Sequence, residues 1–430
     1  MDTIFALSSG RGKAGVAVVR ISGNSLQKLF NKITNKKSQI KNRYAYLTDL
    51  IDENDELIDK AIAIYFSAPH SFTGEDVIEL HVHGSEAVLQ KLFSTLTIYG
   101  ARMARPGEFS RRAFDNNKMD LIEVDGLSAL LDAQTEHQRK LALKSMSGDD
   151  SIKLENWRAQ MIEISAYAAA VLDYSSDELP ENIVEKLLKQ TQNLRTKISN
   201  SIYKSSAVRA IQSGFNITIV GPVNSGKSSL FNRLIGATRA IVSDIPGTTR
   251  DVVSADIDID GYLVRISDTA GLRETDDEIE KIGIQLTNKE IQNADLVLRV
   301  QSIDDEVQTT NKYNEIIVIN KSDLNKNINK NGLYVSALTG DGIDSLLNLI
   351  KEKLHKMLDG TESDIAVNER IKSHLIVVKQ ELINAEKQIN NMDLFSEHVR
   401  IAADEIGQVL GVIDTSEVAN KLFDKLCLGK

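Results

Sequence analysis

The segment Gly221–Ser228, GPVNSGKS, constrains the fold of this chain more than any other part of the sequence. It follows the apolar run Phe215–Val220 and precedes the helical pattern Ser229–Ile235, so a glycine loop stands between a strand and a helix. In such a loop, backbone N–H groups close around phosphates, and the helix N-terminus adds partial positive charge. We expect Lys227 to reach the β- and γ-phosphates and the Ser228 hydroxyl to bind Mg²⁺. The loop therefore predicts a nucleoside triphosphate site in an α/β domain.

Two motifs after this loop follow the order found in GTPases. The segment DTAG, Asp268–Gly271, comes after the apolar pattern LVRIS. An aspartate there can hold Mg²⁺ through water, and the glycine can present its N–H to the γ-phosphate. The segment NKSD, Asn320–Asp323, follows the apolar run EIIVI and resembles the NKxD motif of GTPases. The aspartate of that motif accepts guanine N1–H and N2–H, a donor pair that adenine lacks, so NKSD predicts selection of GTP over ATP.

Two further segments complete the predicted nucleotide site. The segment SAL, Ser336–Leu338, resembles the base-contacting SAK loop, with leucine in place of lysine. Between the P-loop and DTAG, Thr249 is the threonine that we expect to contact Mg²⁺. The predicted GTP-binding residues are Asn224, Ser225, Gly226, Lys227, Ser228, Ser229, Ser243, Asp244, Ile245, Pro246, Gly247, Thr248, Thr249, Asp268, Thr269, Ala270, Gly271, Asn320, Lys321, Asp323, Ser336 and Ala337.

Leu272 departs from the Ras-like pattern, in which a glutamine directly after the DTAG glycine orients the attacking water. Leucine cannot orient water, so another group must do so. The acidic segment that follows, RETDDEIEKIGI, can either supply a carboxylate for this purpose or merely solvate a loop, and the sequence leaves both alternatives open. No arginine finger can be assigned within the chain, so a cation or a partner should take that role.

The chain changes character along its length. Residues 1–118 mix strands and helices, with strand patterns at 14–21, 60–66 and 77–83. Residues 119–210 and 359–430 are helical in period, whereas residues 211–358 alternate strands and helices, which predicts a parallel sheet covered by helices. The predicted fold is multidomain α/β plus all-α, with an α/β module inserted into a helical domain behind a separate N-terminal α/β domain.

Composition excludes several classes of protein. The 430 residues carry a net charge of −10 and a single cysteine, so an intramolecular disulfide framework is excluded. No apolar run has the length of a membrane span or signal peptide, and we expect a cytoplasmic protein that does not enter a membrane. The acidic balance argues against a stand-alone polyanion binder but leaves open a local basic patch or a nucleic-acid-binding partner.

Beyond these motifs, the chain resembles the TrmE/MnmE family of tRNA-modification GTPases over essentially its whole length. The resemblance rests on DTI…GVAVVRISG, SFTGEDVIELHVHG, RPGEFSRRAF…NKMDL, IPGTTRD, DTAGLRE…EIEKIGI and the terminal CLGK, besides the P-loop and NKSD. The RPGEF and CLGK segments are not general features of GTPases. The resemblance implies an N-terminal α/β folate-binding domain (1–118), a helical domain in two parts (119–210 and 359–430) and an inserted Ras-like P-loop G domain (211–358).

For the G domain, the resemblance implies activation by K⁺ and by G-domain dimerisation. The K⁺ ligands would be Asn224 with atoms of Ser243, Ile245 and Thr248. The cation would then stand where an arginine finger stands in other GTPases. Glu280 aligns with the glutamate that positions the attacking water through a second water, and Arg273 aligns with a switch arginine. The implied catalytic residues are Lys227, Asn224, Thr249 and Glu280.

For the N-terminal domain, the resemblance implies a constitutive homodimer that binds 5,10-methylene- or 5-formyl-tetrahydrofolate at its interface. Arg20, Glu79 and Lys118 align with folate contacts, and Lys430 is placed nearby. A carboxylate suits the N–H edge of the pterin, and cations suit the glutamate tail. Without the alignment, an ordinary surface ion pair would be the favoured interpretation of each.

Three further side chains have two interpretations. Cys427 in the CLGK tail is either a nucleophile for a one-carbon or uridine adduct or a small buried apolar side chain, and we slightly favour the second. His81 and His83 alternate along a strand, and we interpret them as packing or hydrogen-bonding residues rather than metal ligands.

The function implied by the resemblance is modification of tRNA at C5 of the wobble uridine, with an aminomethyl or carboxymethylaminomethyl group as the product. The partner would be an FAD-dependent protein of the GidA/MnmG type, in a heterotetramer or larger complex that also binds tRNA. The alternative is a ribosome-assembly or regulatory switch GTPase without modification chemistry. Residues 1–118 and the CLGK tail discriminate between the two, because general switch GTPases lack them.

Overall fold

The computed structural model describes residues 2–34, 40–173, 182–241, 253–268, 290–305, 314–324, 331–358 and 365–413, together with Phe423, Leu426 and Gly429. The chain forms two compact units. The first comprises residues 1–128, 145–166 and 399–430, and the second comprises residues 129–144 and 167–398.

The first unit is built on a six-stranded sheet with strand order β3-β4-β5-β2-β1-β6. All neighbouring strands are antiparallel except β1 and β6, which are parallel. The predicted strands at 14–21, 60–66 and 77–83 are confirmed as β2, β4 and β5. The elements are β1 (Ile4–Leu7), β2 (Ala14–Gly23), α1 (Gln27–Ile33), β3 (Ala45–Ile51), β4 (Leu57–Phe66), β5 (Asp76–Gly84), α2 (Glu86–Ile98), β6 (Arg102–Met103) and α3 (Glu108–Asp115).

One face of this sheet is the core of the first unit. Val19 and Ile21 of β2 and Leu80 of β5 are fully buried, together with Phe30 of α1 and Leu92 of α2. Alternation along each strand sends every second side chain to this face, so Arg20 and its neighbours point to the opposite face. Burial of each large apolar side chain contributes about 1.5–3 kcal/mol to the unfolding free energy, so the core fixes the register of the strands.

Helices occupy most of residues 121–213 and 369–410, as the sequence predicts. The helix Ile183–Ser213 buries residues 183, 187, 191, 194, 198, 201, 205 and 208, which recur with the period of an α-helix. The Asn368 side chain accepts a hydrogen bond from the Ile371 N–H at 2.9 Å and so caps the following helix. The helices are α4 (Leu121–Asp132), α5 (Glu136–Met146), α6 (Asp149–Asp173), α7 (Ile183–Ser213), α10 (Glu369–Lys387) and α11 (Met392–Leu410).

A seven-stranded sheet with strand order β13-β12-β11-β7-β10-β9-β8 lies in the second unit. The five strands from β13 to β10 are parallel, as predicted from the alternation of strands and helices. The sheet as a whole is mixed, because β9 is antiparallel to β10 and β8 is antiparallel to β9. The elements are β7 (Phe215–Val220), α8 (Lys227–Ala237), β8 (Arg239–Ile241), β9 (Val253–Ile259), β10 (Tyr262–Asp268), β11 (Leu296–Ser302), β12 (Glu315–Asn320), β13 (Leu333–Tyr334) and α9 (Ile343–Leu358).

The parallel strands bring the sequence motifs to one edge of this sheet. Gly221 follows β7, Asp268 ends β10, Asn320 ends β12 and Ser336 lies two residues after β13. The carboxyl ends of parallel strands face the same side, which is where open α/β sheets bind ligands. None of the helices in the described part of the chain has the length and apolar content that a membrane crossing requires.

Candidate functional site

Two glycines of the P-loop lie where no side chain fits. Gly221 has φ +154°, and a Cβ built on it would lie 2.0 Å from the carbonyl oxygen of Val300. Gly226 has φ +88°, and its Cβ would lie 2.2 Å from Nδ2 of Asn320. Both the backbone conformation and the close approach of neighbouring strands therefore require glycine.

Lys227 begins helix α8 and is buried. Its Nζ donates hydrogen bonds to the carbonyl oxygens of Gly221 at 3.0 Å and Pro222 at 2.8 Å. The ammonium group thus lies across the loop, at the helix N-terminus, where the partial positive charge of the helix favours anions. This arrangement concentrates positive charge at the position that the sequence predicts for the phosphates.

Ser228 and Asp268 meet beside this lysine. The Ser228 hydroxyl donates a hydrogen bond of 2.7 Å to Oδ2 of Asp268, which joins the first turn of α8 to the end of β10. A hydroxyl and a carboxylate are oxygen ligands of the kind that Mg²⁺ prefers. The pair therefore fits a hard divalent cation. Ser229 follows on the exposed side of α8.

Asn320 connects the P-loop to the SAL segment. Its side-chain Nδ2 donates to the Ser225 carbonyl oxygen at 3.0 Å, and its Oδ1 accepts from the Ala337 N–H at 3.0 Å. Asn320 and Ser225 are both buried, so these bonds are shielded from water. The next residue, Lys321, has φ +63°. The predicted base loop and phosphate loop are therefore held to each other by one amide side chain.

Asp323 and Ser336, the two polar groups predicted for the base, are also in contact. The Ser336 hydroxyl donates to Oδ1 of Asp323 at 2.6 Å, and it accepts from the Thr339 N–H at 3.1 Å. Asp323 is exposed, whereas Ser336 is fully buried. The carboxylate is consequently oriented at the edge of the loop after β13, where a base can reach it.

Arg233 is a functional candidate that the sequence did not reveal. From helix α8 its Nε donates to the Ala337 carbonyl oxygen at 3.0 Å, and its Nη2 donates to the Leu338 carbonyl oxygen. The guanidinium fork thus holds two successive peptides of the base loop. No local pattern marks this residue, because its partners lie 104 and 105 positions later in the chain.

Part of the predicted site lies outside the described residues. This applies to the switch segments, the water-positioning glutamate and the charged or reactive ends of the tail. The residues concerned are Ser243, Asp244, Ile245, Pro246, Gly247, Thr248, Thr249, Thr269, Ala270, Gly271, Leu272, Arg273, Glu280, Cys427 and Lys430. Asn224 is described, and it lies exposed on the P-loop with φ +60°.

A second polar cluster lies on the sheet of the first unit. Arg20 of β2 and Glu79 of β5 are register partners, and Nε and Nη2 of Arg20 donate to Oε1 of Glu79 at 3.0 and 2.9 Å. The guanidinium lies 5.0 Å from the ring centroid of Phe72 and 6.0 Å from that of Phe109. Within the described residues, the buried Nη1 of Arg20 has no hydrogen-bond partner. A buried donor without a partner fits a site that a ligand completes.

Lys118 approaches this cluster through a neighbouring loop. A Cβ built on Gly74 would lie 3.2 Å from Cε of Lys118, and Phe72 of the same loop contacts Arg20. The structure therefore brings Arg20 and Glu79 together, and it places Lys118 beside the loop that carries the aromatic contact.

The two histidines of β5 differ in their surroundings. Nδ1 of His83 lies 2.8 Å from Oδ1 of Asp59, which confirms the hydrogen-bonding interpretation for this residue. Burial of Asp59 raises its pKa, but hydrogen bonds from the backbone and ring of His83 outweigh burial and lower the pKa overall. Nε2 of His81 lies 3.7 Å from Oε2 of Glu79 and is buried without a hydrogen-bond partner in the described part of the chain.

The described residues of the tail pack against the start of the chain. The Ser8 hydroxyl donates to the Gly429 carbonyl oxygen at 3.0 Å, and a Cβ on Gly429 would lie 2.3 Å from the Leu7 carbonyl oxygen. Earlier in the tail, the backbone of Phe423 lies where a Cβ on Gly107 would stand. Since Ala6 and Leu7 of β1 pair with Arg20 and Val19 of β2, the tail lies against the strand next to the one that carries Arg20.

Comparison with known proteins gives matches over nearly the whole chain. The family described as the GTP-binding protein TrmE N-terminus matches residues 3–118, and the family described as the MnmE helical domain matches residues 121–427. The chain is similar to the tRNA modification GTPase MnmE of Wolbachia sp. subsp. Drosophila simulans (strain wRi), at 41% identity over 440 residues, 100% of this chain and 99% of the relative.

Two further proteins show the range of similarity. The tRNA modification GTPase MnmE of Rhizobium johnstonii is 39% identical over 438 residues, 100% of this chain and 99% of the relative. Among solved structures, the G domain of the T. maritima FeoB iron transporter is 25% identical and covers 33% of this chain and 98% of its own, with a TM-score of 0.25. A TM-score of this size supports no conclusion about the fold.

Proposed function

Because the chain belongs to the MnmE family of tRNA modification GTPases, we propose that this GTPase modifies C5 of the tRNA wobble uridine together with an FAD-dependent partner of the GidA/MnmG type. The product would carry an aminomethyl or carboxymethylaminomethyl group, and the two proteins would form a heterotetramer or larger complex. The observation that carries this proposal is the polar cluster at Arg20 and Glu79, outside the nucleotide site, in the region that matches the TrmE N-terminus. A ligand site in this region is expected of the modification enzyme and not of a general switch GTPase.

In the proposed nucleotide site, the triphosphate of GTP lies in the P-loop. Lys227 would exchange its bonds to the Gly221 and Pro222 carbonyl oxygens for phosphate oxygens, so its charge is already in place. Asp323, held by Ser336, would accept the guanine N–H groups, while Asn320 keeps the two loops in register. Preorganised charge of this kind stabilises the transition state without reorganisation during the reaction.

Two cations are proposed at this site. Mg²⁺ would be held by Ser228 and Thr249, with Asp268 acting through water, and it would neutralise charge on the phosphate oxygens. K⁺ would be held by Asn224 with Ser243, Ile245 and Thr248, and it would supply positive charge beside the bridge between the β- and γ-phosphates. Asn224 is exposed on the loop and offers a side-chain carbonyl oxygen, which suits such an ion.

For the attacking water we propose Glu280, acting through a second water. Leucine at position 272 leaves the usual glutamine position without a polar group, so the acidic segment 273–284 is the remaining local source of a carboxylate. The proposed catalytic residues are thus Lys227, Asn224, Thr249 and Glu280.

The polar cluster of the first unit is the proposed folate site. Arg20, Glu79, Lys118 and Lys430 would hold a 5,10-methylene- or 5-formyl-tetrahydrofolate. The buried Nη1 of Arg20 is a donor that such a ligand can satisfy, and Gly429, the residue before Lys430 in the sequence, lies against Leu7 and Ser8. The folate would supply the carbon that is transferred.

A homodimer through the N-terminal sheet is also proposed. On the face opposite the core, Leu47 is 79% exposed and Ile62 is 41% exposed, and the two residues are register partners on β3 and β4. On β2, Val16 is 58% exposed, next to an irregularity in the pairing of β2 with β5. Exposed apolar side chains grouped on one sheet face favour association with another protein surface. With tRNA as substrate, the proposed reaction is cytoplasmic.

Mass analysis of wobble nucleosides tests the function directly. We expect tRNA from cells lacking this protein to lose the modified uridine, and we expect the wild-type gene to restore it. A variant with Arg20→Ala should restore nothing, although its GTPase rate stays normal. Unchanged nucleosides in the deletion strain, with a defect in ribosome assembly, would instead support the switch function.

The proposed role of K⁺ has its own test. GTP hydrolysis should be fast in KCl and slow in NaCl at equal ionic strength, and Asn224→Ala should remove most of the difference. Equal rates in both salts would contradict the cation site at Asn224. The folate proposal is tested separately by titrating the wild-type dimer with 5-formyl-tetrahydrofolate, where absence of binding would contradict it.

A further inference from the structure

Helix α7 has a charge opposite to that of the whole protein. Its 31 residues contain six basic residues and one acidic residue, Glu185, for a net charge of +5, whereas the chain carries −10. Among the other long helices, α6 and α11 each have a net charge of −3 and α10 has a net charge of +1 from their sequences. The basic residues of α7 are Lys186, Lys189, Arg195, Lys197, Lys204 and Arg209.

Four of these lysines lie on one side of the helix, with two asparagines between them. The spacings are three or four residues throughout, which is the helical repeat. At about 1.5 Å per residue, the set extends for about 27 Å along α7. All members are exposed except Lys204, which is half-buried. We name this set the basic stripe, and its members are Lys186, Lys189, Asn193, Lys197, Asn200 and Lys204.

The side of α7 that lies about 100° around the helix axis from the stripe is already packed within the second unit. Leu187, Leu194, Ile198 and Val208 are buried there, so the helix has no apolar face left to insert into a lipid surface. Arg195 lies to one side and forms an ion pair with Glu386 of α10 at 2.5 Å. In contrast, the ammonium groups of Lys186, Lys189 and Lys197 have no ion-pair partner among the described residues.

We propose that the basic stripe of α7 binds the sugar–phosphate backbone of the tRNA substrate. The inference rests on the proposed function, because it takes tRNA as the polyanion. Spaced ammonium groups neutralise successive phosphates, and the amides of Asn193 and Asn200 donate hydrogen bonds to phosphate and ribose oxygens. The stripe reads no sequence, so it suits a protein that handles several tRNAs of common shape.

Tyr203 extends this surface toward unpaired nucleotides. Its side chain is 84% exposed and it adjoins Lys204 and Asn200 on the helix. A large aromatic ring in water beside cationic groups is a platform on which a base can stack. We therefore place an unstacked base of the tRNA on Tyr203, at the end of the stripe.

The test measures tRNA binding as a function of salt. The triple variant Lys186→Gln, Lys189→Gln and Lys197→Gln removes three charges, and a transcribed tRNA would be titrated by fluorescence anisotropy in KCl. Because each phosphate contact contributes about 0.7–0.9 to the slope of log K against log [salt], we expect the slope to fall by about 2–3. At about 0.1 M salt the affinity should fall at least tenfold.

A matched control removes the same charge from dispersed positions. Lys28→Gln, Lys356→Gln and Lys387→Gln change three exposed lysines of α1, α9 and α10. This control should keep the wild-type slope, which separates the stripe from an effect of net charge. Tyr203→Ala should weaken binding by about tenfold without changing the slope, and Tyr203→Phe should bind as the wild type does.

Two outcomes would overturn the inference. One is a triple variant with the wild-type slope and affinity. The other is a triple variant that binds tRNA normally but no longer binds the flavoprotein partner, since the stripe would then be a protein interface. The basal GTPase rate of every variant should equal that of the wild type, which confirms that each one is folded.

A modification assay separates this inference from the proposed function. With the flavoprotein partner present, the triple variant should show a higher KM for tRNA and an unchanged kcat. If the wild type modifies tRNA and the triple variant has the wild-type KM for tRNA, the inference about the basic stripe fails while the proposed function stands. If the wild type binds tRNA through the stripe but modifies no uridine, the proposed function alone fails.

Discussion

The nucleotide edge of the seven-stranded sheet and the polar cluster of the six-stranded sheet are assembled in different ways. At the nucleotide edge, polar groups are bonded to each other across loops, as Ser228 is to Asp268 and Asn320 is to Ser225. In the N-terminal cluster, Arg20 and Glu79 pair, but Nη1 of Arg20 and Nε2 of His81 remain buried without hydrogen-bond partners in the described residues.

This difference follows from how each sheet is built. Parallel strands each deliver a whole motif to one edge, and hydrogen bonds then join motifs that lie 40 and 95 positions apart in sequence. Antiparallel strands bring together single residues, and their contact depends on register. Register alone pairs Arg20 with Glu79, which are 59 positions apart. Among the described residues, the polar groups of the first site are bonded to each other, while the second site has polar groups left for a ligand.

The largest expected effect is on the nucleotide edge, at Lys227. Lys227→Ala should lower the rate of GTP hydrolysis by about 10²–10³, because it removes a preorganised positive charge next to the phosphates. Steady-state phosphate release measures the rate. The exposed lysine of α9 provides the control, and Lys356→Ala should hydrolyse GTP normally. If Lys227→Ala keeps more than a tenth of the wild-type rate, Lys227 does not act at the phosphate site.

The next effect concerns the N-terminal cluster. Glu79→Gln leaves the half-buried Arg20 guanidinium without its counter-charge, so we expect the free energy of unfolding of this unit to fall by about 1–3 kcal/mol. Denaturant unfolding followed by the fluorescence of Trp157, which belongs to this unit, measures it. As a control in the same unit, Asp49→Asn breaks an exposed contact with Lys60 and should leave the free energy of unfolding nearly unchanged. Equal losses in the two variants would contradict the distinction between the cluster and a surface ion pair.

A smaller effect tests Arg233, the residue at the nucleotide edge that no motif contains. Arg233→Ala frees the Ala337 and Leu338 carbonyl oxygens, so we expect GTP affinity to fall about tenfold through loss of two charge-assisted hydrogen bonds. Calorimetric titration measures the affinity. Arg265→Ala is the control, since that arginine pairs with Asp256 between β9 and β10. If both variants bind GTP equally well, the base loop is not held by Arg233.

The smallest effect concerns Asp260, which lies in the turn between β9 and β10. Hydrogen bonds from Lys351 and His355 hold the pKa of Asp260 below its usual value. Because the pKa is lower in the folded protein, the stabilisation is present above the unfolded pKa of about 3.9 and is lost as pH falls through the folded pKa. Asp260→Asn should therefore lower Tm slightly at neutral pH and make no difference in strong acid. A Tm difference that grows toward acid pH would have the wrong sign.

The sequence predicted the parts of the fold that have strong periodicity. The run Phe215–Val220 is a strand with the predicted bounds, and the helix after the P-loop starts at Lys227, two residues before the predicted start. The hairpin of β9 and β10 was missed, although Asp260 and Gly261 between two alternating runs are a strong hairpin signal. Strand β6 has only two residues, too few for a sequence pattern, and it is defined only by its pairing with β1.

The candidate site likewise contains residues that local sequence patterns predict and residues that only the fold reveals. P-loop and NKSD residues were predictable because phosphates and guanine require particular residue types at fixed spacing. Arg233 was not predictable, because its function depends on the packing of α8 against a loop about a hundred residues later. For Arg20 and Glu79, the residues alone favoured an ordinary ion pair, and only a folded sheet reveals that one donor of Arg20 remains unused.

Because the tail packs against β1, the first unit can be completed only near the end of synthesis on the ribosome. Residues 1–128 and 399–430 belong to one compact unit, and most of the other unit is synthesised between them. At about 5–20 residues per second, the N-terminal sheet waits on the order of 15–60 s for the segment that bonds to Ser8. The second unit is therefore synthesised in full before the first unit can be completed, and a nascent chain that stops before residue 399 lacks the segment that carries Phe423 and Gly429.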